Sequence, residues 1–309
     1  MPQLGRLILP AILWATTCSF VHAQQSAQTP EHDSEVLSGP RVEEVNLKVT
    51  VTNRSGQLVK DLTAADFTVY EDGKPQKIDY FRAENTPITL AILVDTSASM
   101  LPAQAALHRA VTGLIQESNS GNEVALISFS DEPTLEQGFT RNTDRIYRAL
   151  DHLVFRGDRT LYDAVFITTD ELGPRPSPKK VLVVITGGAD AKSHKSVSDI
   201  IQNLEHRDDW IIYVLGFPGN KPMERDAQSD LQRLCNATGG VALFLDSADK
   251  LEESSRQIAQ EIGHQYDIGY TPSNPLSTGG YRKVKVEAQA PRLQDLQVRT
   301  RSGYSAGKR

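Results

Sequence analysis

Ile88-Thr89-Leu90-Ala91-Ile92-Leu93-Val94-Asp95-Thr96-Ser97-Ala98-Ser99-Met100 is the stretch from which the fold can be read. Its first half is apolar and β-branched and carries no charge. That composition suits a strand buried on both faces, as in a parallel sheet covered by helices. The run stops at Asp95, and Ser97 and Ser99 follow at alternate positions. A carboxylate and two hydroxyls so spaced in a strand-to-helix turn can converge on one point. They are hard oxygen donors, suited to Mg²⁺ rather than to zinc or copper. The carboxyl end of a strand is also where open α/β sheets bind ligands. The same residue types cap helices, so the stretch alone leaves a plain capping role open.

Downstream, strand and helix patterns alternate. Leu107, Ala110, Val111, Leu114 and Ile115 keep helical spacing, and Val124 to Phe129 reads as the next strand. Thr134 to Thr140 suits an antiparallel edge strand, and Thr143 can cap a helix carrying Ile146, Ala149, Leu150 and Leu153. Arg156-Gly157-Asp158-Arg159-Thr160 reads as a loop before a helix from Leu161 to Leu172, and Arg175 to Pro178 as a proline-bearing loop. Strands at Val181–Ile185, Trp210–Phe217 and Val241–Leu245 alternate with helices at Val197–Leu204, Ala227–Ala237 and about Asp249–Gly263. Alternation of this length predicts a doubly wound, mainly parallel α/β domain of Rossmann-like type over 87–264.

The flanks read differently. Val45, Leu47, Val49 and Val51 alternate with polar residues, Asn53-Arg54-Ser55-Gly56 marks a turn, and Glu71-Asp72-Gly73-Lys74 is a hairpin signal. In the tail, Tyr266, Ile268 and Tyr270 alternate with Asp267 and Gly269, as do Val284 and Val286 with Lys and Glu. Residues 42–86 and 265–305 are therefore expected to pair into one small β-sandwich interrupted by the α/β domain, an insertion that neighbouring termini make tolerable.

The Asp95 stretch resembles the metal-ion-dependent adhesion site of the von Willebrand factor type A domain. That resemblance implies a threonine from a later loop, matched by Thr160, and an aspartate after the fourth strand within T-D-G-x-D. This chain has Thr186-Gly187-Gly188-Ala189-Asp190 there, so Gly187 stands at the aspartate's position, and Asp190 is a candidate to compensate. The implied metal ligands are Asp95, Ser97, Ser99 and Thr160, with Asp190 in reserve. The implied cofactor is Mg²⁺, or Mn²⁺ or Ca²⁺ in its place, held weakly or not at all because of Gly187. A partner's carboxylate would complete the shell, making the ion a bridge. The leader V-T-V-T-N-R-S-G-Q-L-V-K-D-L-T-A-A-D-F-T-V-Y-E-D-G-K-P-Q-K-I (49–78) is similar to that of an exported bacterial family first grouped from acidobacteria, the von Willebrand factor A-related proteins. Tyr266–Pro275 (Y-D-I-G-Y-T-P-S-N-P) and Val298–Tyr304 (V-R-T-R-S-G-Y) carry the same resemblance.

Composition narrows the classes. A net charge of −6 without a basic block gives no reason to expect nucleic acid. Residues 1–23 read as a secretory signal: Arg6, an apolar Leu7–Phe20, and Val21-His22-Ala23 as a cleavage site. That predicts export to periplasm, cell surface or medium, with no membrane span in the mature chain. Gln24–Pro40 is polar and Pro-bearing, so 24–41 is expected to be a disordered tether. Cys235, the one cysteine beyond the signal, reads as a core residue on a helix. The histidines show no metal spacing, and G-x-S-x-G, H-E-x-x-H and Gly-rich phosphate loops are missing.

The leading expectation is thus a non-enzymatic, exported protein-binding module that uses a divalent ion to engage an acidic side chain of a partner. The alternative is a scaffold with a degenerate, metal-free site, motivated by Gly187. A remote third is a metal-assisted hydrolase, for which Asp158 and Asp163 are the nearest general-base candidates.

Overall fold

The computed structural model describes residues 44–83, 86–172, 179–205, 210–218 and 223–307. The signal, the tether and the loop at Arg175–Pro178 lie outside the described residues. In chain order the strands and helices are β1 (Val45–Thr52), β2 (Phe67–Glu71), β3 (Lys74–Gln76), β4 (Ile78–Ala83), β5 (Thr89–Asp95), α1 (Gln104–Glu117), β6 (Glu123–Phe129) and β7 (Pro133–Thr140). They continue with α2 (Thr143–Asp151), α3 (Leu161–Glu171), β8 (Lys180–Thr186), α4 (Val197–Glu205), β9 (Trp210–Gly216), α5 (Arg225–Thr238), β10 (Ala242–Phe244) and α6 (Leu251–Gly263). The tail adds β11 (Tyr266–Tyr270), β12 (Gly280–Ala288), β13 (Gln297–Arg299) and β14 (Gly303–Ala306).

The uncharged run forms β5, every residue of which is buried. It lies inside a six-stranded sheet of order β10-β9-β8-β5-β6-β7. All pairings are parallel except β6 with β7, which is antiparallel, as the edge-strand reading expects. Because successive strand side chains point to opposite faces, β5 feeds two cores. Leu90, Ile92 and Val94 pack with residues of α1, α2 and α6. Ala91 and Leu93 pack with residues of α3, α4 and α5, Cys235 among them. The order reverses beside β5, whose neighbours are β6 and β8, and this switch point lies where such sheets bind ligands.

Leader and tail strands pair with each other in two four-stranded sheets, β13-β1-β11-β4 and β14-β12-β2-β3. β1 runs antiparallel to β11 with Leu47 opposite Ile268, and β2 runs antiparallel to β12 with Val69 opposite Val286. Their inward residues make one apolar cluster, including Val49, Phe67, Tyr266 and Tyr304. The expected sandwich is not set apart as a discrete domain, because these strands and the α/β part form a single compact unit, Val42–Arg309. Polar contacts explain the union. On α6, Glu261 accepts hydrogen bonds from Tyr213 of β9 (2.9 Å) and Thr50 of β1 (3.3 Å) and pairs with Arg299 of β13 (2.5 Å). A buried pair, Glu71–Arg282 at 2.8 Å, also joins leader to tail, and the Tyr270 and Tyr304 hydroxyls donate to the same carboxylate. Among the described residues, no helix is long and apolar enough to cross a membrane.

Lys179, just before β8, is buried at the opposite end of the sheet from Asp95 and donates to the Ile262 carbonyl of α6 at 2.6 Å. Burial pushes its pKa down from 10.5 to about 7, although Asp267 and Glu261 pull the other way. Between those values the unfolded chain holds a proton that the folded one lacks, so stability must rise with pH there. Denaturant titrations are expected to show a higher midpoint at alkaline pH than at neutral pH. A Lys179→Met variant should flatten that slope; an equal slope in the variant would assign it to another group.

Candidate functional site

Where β5 ends, Asp95 is fully buried, and its carboxylate accepts several hydrogen bonds. Oδ1 takes the Ser97 amide at 2.9 Å. Oδ2 takes the Thr186 hydroxyl at 3.0 Å and the Gly187 amide at 3.1 Å, both at the end of β8. It also pairs with Arg159 Nε at 2.5 Å. The next turn, Ala98–Ala103, is a short 3-10 segment that carries Ser99 toward Ser97, with 3.1 Å between the hydroxyl oxygens.

Arg159 is the residue to which sequence reasoning gave no role. Its Nη2 donates to Ser99 Oγ at 2.8 Å and to Ser97 Oγ at 3.2 Å, and Nη1 donates to the Ala189 carbonyl at 2.9 Å. One planar guanidinium thus touches Asp95, Ser97 and Ser99 together. Gly157, at φ +70°, lets the loop turn in, and the Arg159 carbonyl accepts the amides of Ala191 (3.0 Å) and Lys192 (3.2 Å). Gly188 leaves the room: a Cβ there would lie 2.6 Å from Arg159 Nη1.

The other expected ligands have different partners. Thr160 is buried, and both its hydroxyl and its amide donate to the Ser130 carbonyl at 2.9 Å. Asp190 takes the Ser193 amide (3.0 Å) and hydroxyl (2.6 Å) and the Tyr162 amide (3.2 Å), so it braces its own loop against α3. At Gly187 the space for a side chain is filled, since a Cβ would collide with Met100 Sδ. The hydrolase candidates fare no better. Asp158 pairs with Lys192 at 2.5 Å, and hydrogen bonding to that lysine holds its carboxyl below the usual range. Burial pushes Asp163 up, but the His194 and Lys195 amides outweigh it and its pKa is also lowered. Both stay ionised near neutrality, where a general base needs a pKa close to the working pH.

These contacts overturn the expectation of a magnesium, manganese or calcium adhesion site. Among the described residues, no group of three or more His, Cys, Asp or Glu side chains is placed to hold a metal ion. The residues present do not fit the ion: its position between Asp95, Ser97 and Ser99 is taken by a guanidinium, and the missing aspartate's position by a thioether. The expected metal-bridged partner contact falls with it.

Residues 90–189 match the family model described as von Willebrand factor type A domain. The fold is that of a von Willebrand factor type A domain. A von Willebrand factor type A structure from Catenulispora acidiphila superposes at TM-score 0.51 with 12% identity, covering 86% of this chain and 74% of that one. Proximal thread matrix protein 1 from the mussel byssus, solved with a zinc-occupied adhesion motif, gives TM-score 0.50 and 15% identity over 62% of this chain. The chain spans about half of the mussel protein's length, 49% in that crystal and 51% in another. Likeness this distant carries the fold alone. No curated protein matches the chain in sequence.

Gly187→Asp, the change that would restore the expected aspartate, is expected to fail as a repair. The new side chain meets Met100, and overpacking of this kind costs about 1–3 kcal/mol. Thermal denaturation should show a less stable variant that Mn²⁺ does not rescue, whereas Met100→Ala added to it should recover part of the loss. A single variant as stable as the parent, and stabilised further by Mn²⁺, would contradict the packing described.

Proposed function

We propose that the chain is a non-enzymatic protein-interaction scaffold, exported, whose strand-end site works without a divalent ion. The observation that supports this reading most directly is the Arg159–Asp95 pair, in which the carboxylate is fully buried and the guanidinium is already bonded to both serines. A chain that fills this position with its own side chain has no use for an ion that a partner must share.

The proposed plan is a secretory signal at 1–23, a tether at 24–41, a type A domain at 87–264, and a β-sandwich assembled from 42–86 and 265–305. Leader and tail sequences are the grounds for placing it near the exported bacterial proteins of acidobacterial type. Periplasm, surface and medium all fit a secretory signal of the kind at 1–23. A partner's acidic side chain loses its reason to dock here, since the positive charge of Arg159 is already matched by Asp95. Contact is better supplied by apolar surface: Leu101, just after Ser99, is 56% exposed, and Val154, just before the Arg159 loop, is 63% exposed. Single exposed apolar residues are common, so their role rests on their place beside the site.

Capture experiments with the full chain on extracts of its native envelope test the reading. A saturable partner should be retained equally in EDTA and in Mg²⁺, and retention should drop about tenfold or more for Leu101→Glu/Val154→Glu, the scale of losing a buried anchor. Retention that requires Mg²⁺ and vanishes in EDTA would contradict it, as would turnover of a substrate that depends on the site.

A further inference from the structure

A buried carboxylate is stable as an anion only if a positive group or several donors compensate it. In the strand-end crevice two amides and the Thr186 hydroxyl supply donors, and one side chain brings the positive charge while also bonding both serine hydroxyls. We infer that Arg159 is a covalently attached counter-cation: it does for this crevice the electrostatic work that a dissociable ion would do, and so fixes the surrounding loops in one permanent arrangement. This deepens, and rests on, the metal-free reading above.

The contacts converge on that one side chain from separate segments. Asp95 is the end of β5, Ser97 and Ser99 open the following turn, and Ala189 lies in the loop after β8. The Arg159 backbone is held by the amides of Ala191 and Lys192, while Ala98 donates to the Gly157 carbonyl at 3.1 Å and Arg156 to Thr96 at 2.9 Å. The 96–99, 156–160 and 187–192 segments are therefore tied to each other through backbone bonds and pinned at their centre by one guanidinium. The planar fork suits this task, since several donors in fixed geometry reach a carboxylate and two hydroxyls at once, where lysine would offer a point charge. Unlike an ion, it is part of the chain and cannot be removed by a chelator. The three segments are thus held together constitutively, and no change in ion concentration can switch them.

The test is a set of melting temperatures on the full chain: parent, Arg159→Ala, and Arg159→Ala/Asp95→Asn, each in EDTA, in Mn²⁺ and in low methylguanidinium. Arg159→Ala should melt on the order of 10 °C below the parent, the scale expected when one partner of a buried pair is removed from a domain of this size. Methylguanidinium or Mn²⁺ should recover part of that loss, and Asp95→Asn should recover part of it without any cation, because the charge needing compensation is gone. If Arg159→Ala does not fold, a folded double variant supports the inference and an unfolded one overturns it. It is also overturned by a single variant that melts with the parent, or by a loss that neither cation nor Asp95→Asn relieves; the metal-free reading would survive both results. A parent stabilised by Mn²⁺ would instead sink the metal-free reading, since a ligand of the folded state must raise its stability.

Discussion

A carboxylate with no solvent exposure, at the end of a strand with helices on both faces, sets the terms for everything around it. Asp95 cannot be hydrated, so its charge has to be met by donors the chain brings from elsewhere. The Ser97 and Gly187 amides and the Thr186 hydroxyl meet part of the need, but they are dipoles. Arg159 brings the full positive charge, and its approach depends on small residues: Gly157 for the turn and Gly188 for clearance. Loops already joined by backbone hydrogen bonds thereby share one fixed point at their centre.

The fold delivers these groups to one place through ordinary packing. Alternate residues of β5 divide between two apolar cores, which holds the strand centrally and directs its carboxyl end to the switch point. At the other end, Glu261 and Lys179 tie α6 to the sheet and to the leader and tail strands. Strands from the two ends of the chain are neighbours in each sheet, β1 between β13 and β11 in one and β2 beside β12 in the other.

Much of the fold was legible because its signals are local. The uncharged run before Asp95, the alternation at Val45–Val51 and the Asp72-Gly73 hairpin each follow from neighbouring residues. Asp95, Ser97 and Ser99 do converge as their spacing implies, but around a different cation. Arg159 escaped because its partners are far away in sequence, and a basic residue in a polar loop looks like solvated surface. Two hints were present: Gly187 removes a negative charge from the expected set, and Arg159 adds a positive one directly before Thr160. Met100 filling the space beside Gly187 could not be read at all, since that is a contact between the turn after β5 and the end of β8. The fusion of the β strands with the α/β part into one unit was hidden for the same reason: Thr50, Tyr213, Glu261 and Arg299 are scattered along the chain.

Crystals of the parent chain grown in Mn²⁺ and measured at its absorption edge address the central claim directly. The account predicts continuous density for the Arg159 side chain against Asp95, Ser97 and Ser99, and no anomalous peak among them. A manganese peak between Asp95 and the two serines, with the arginine swung out to solvent, would contradict it.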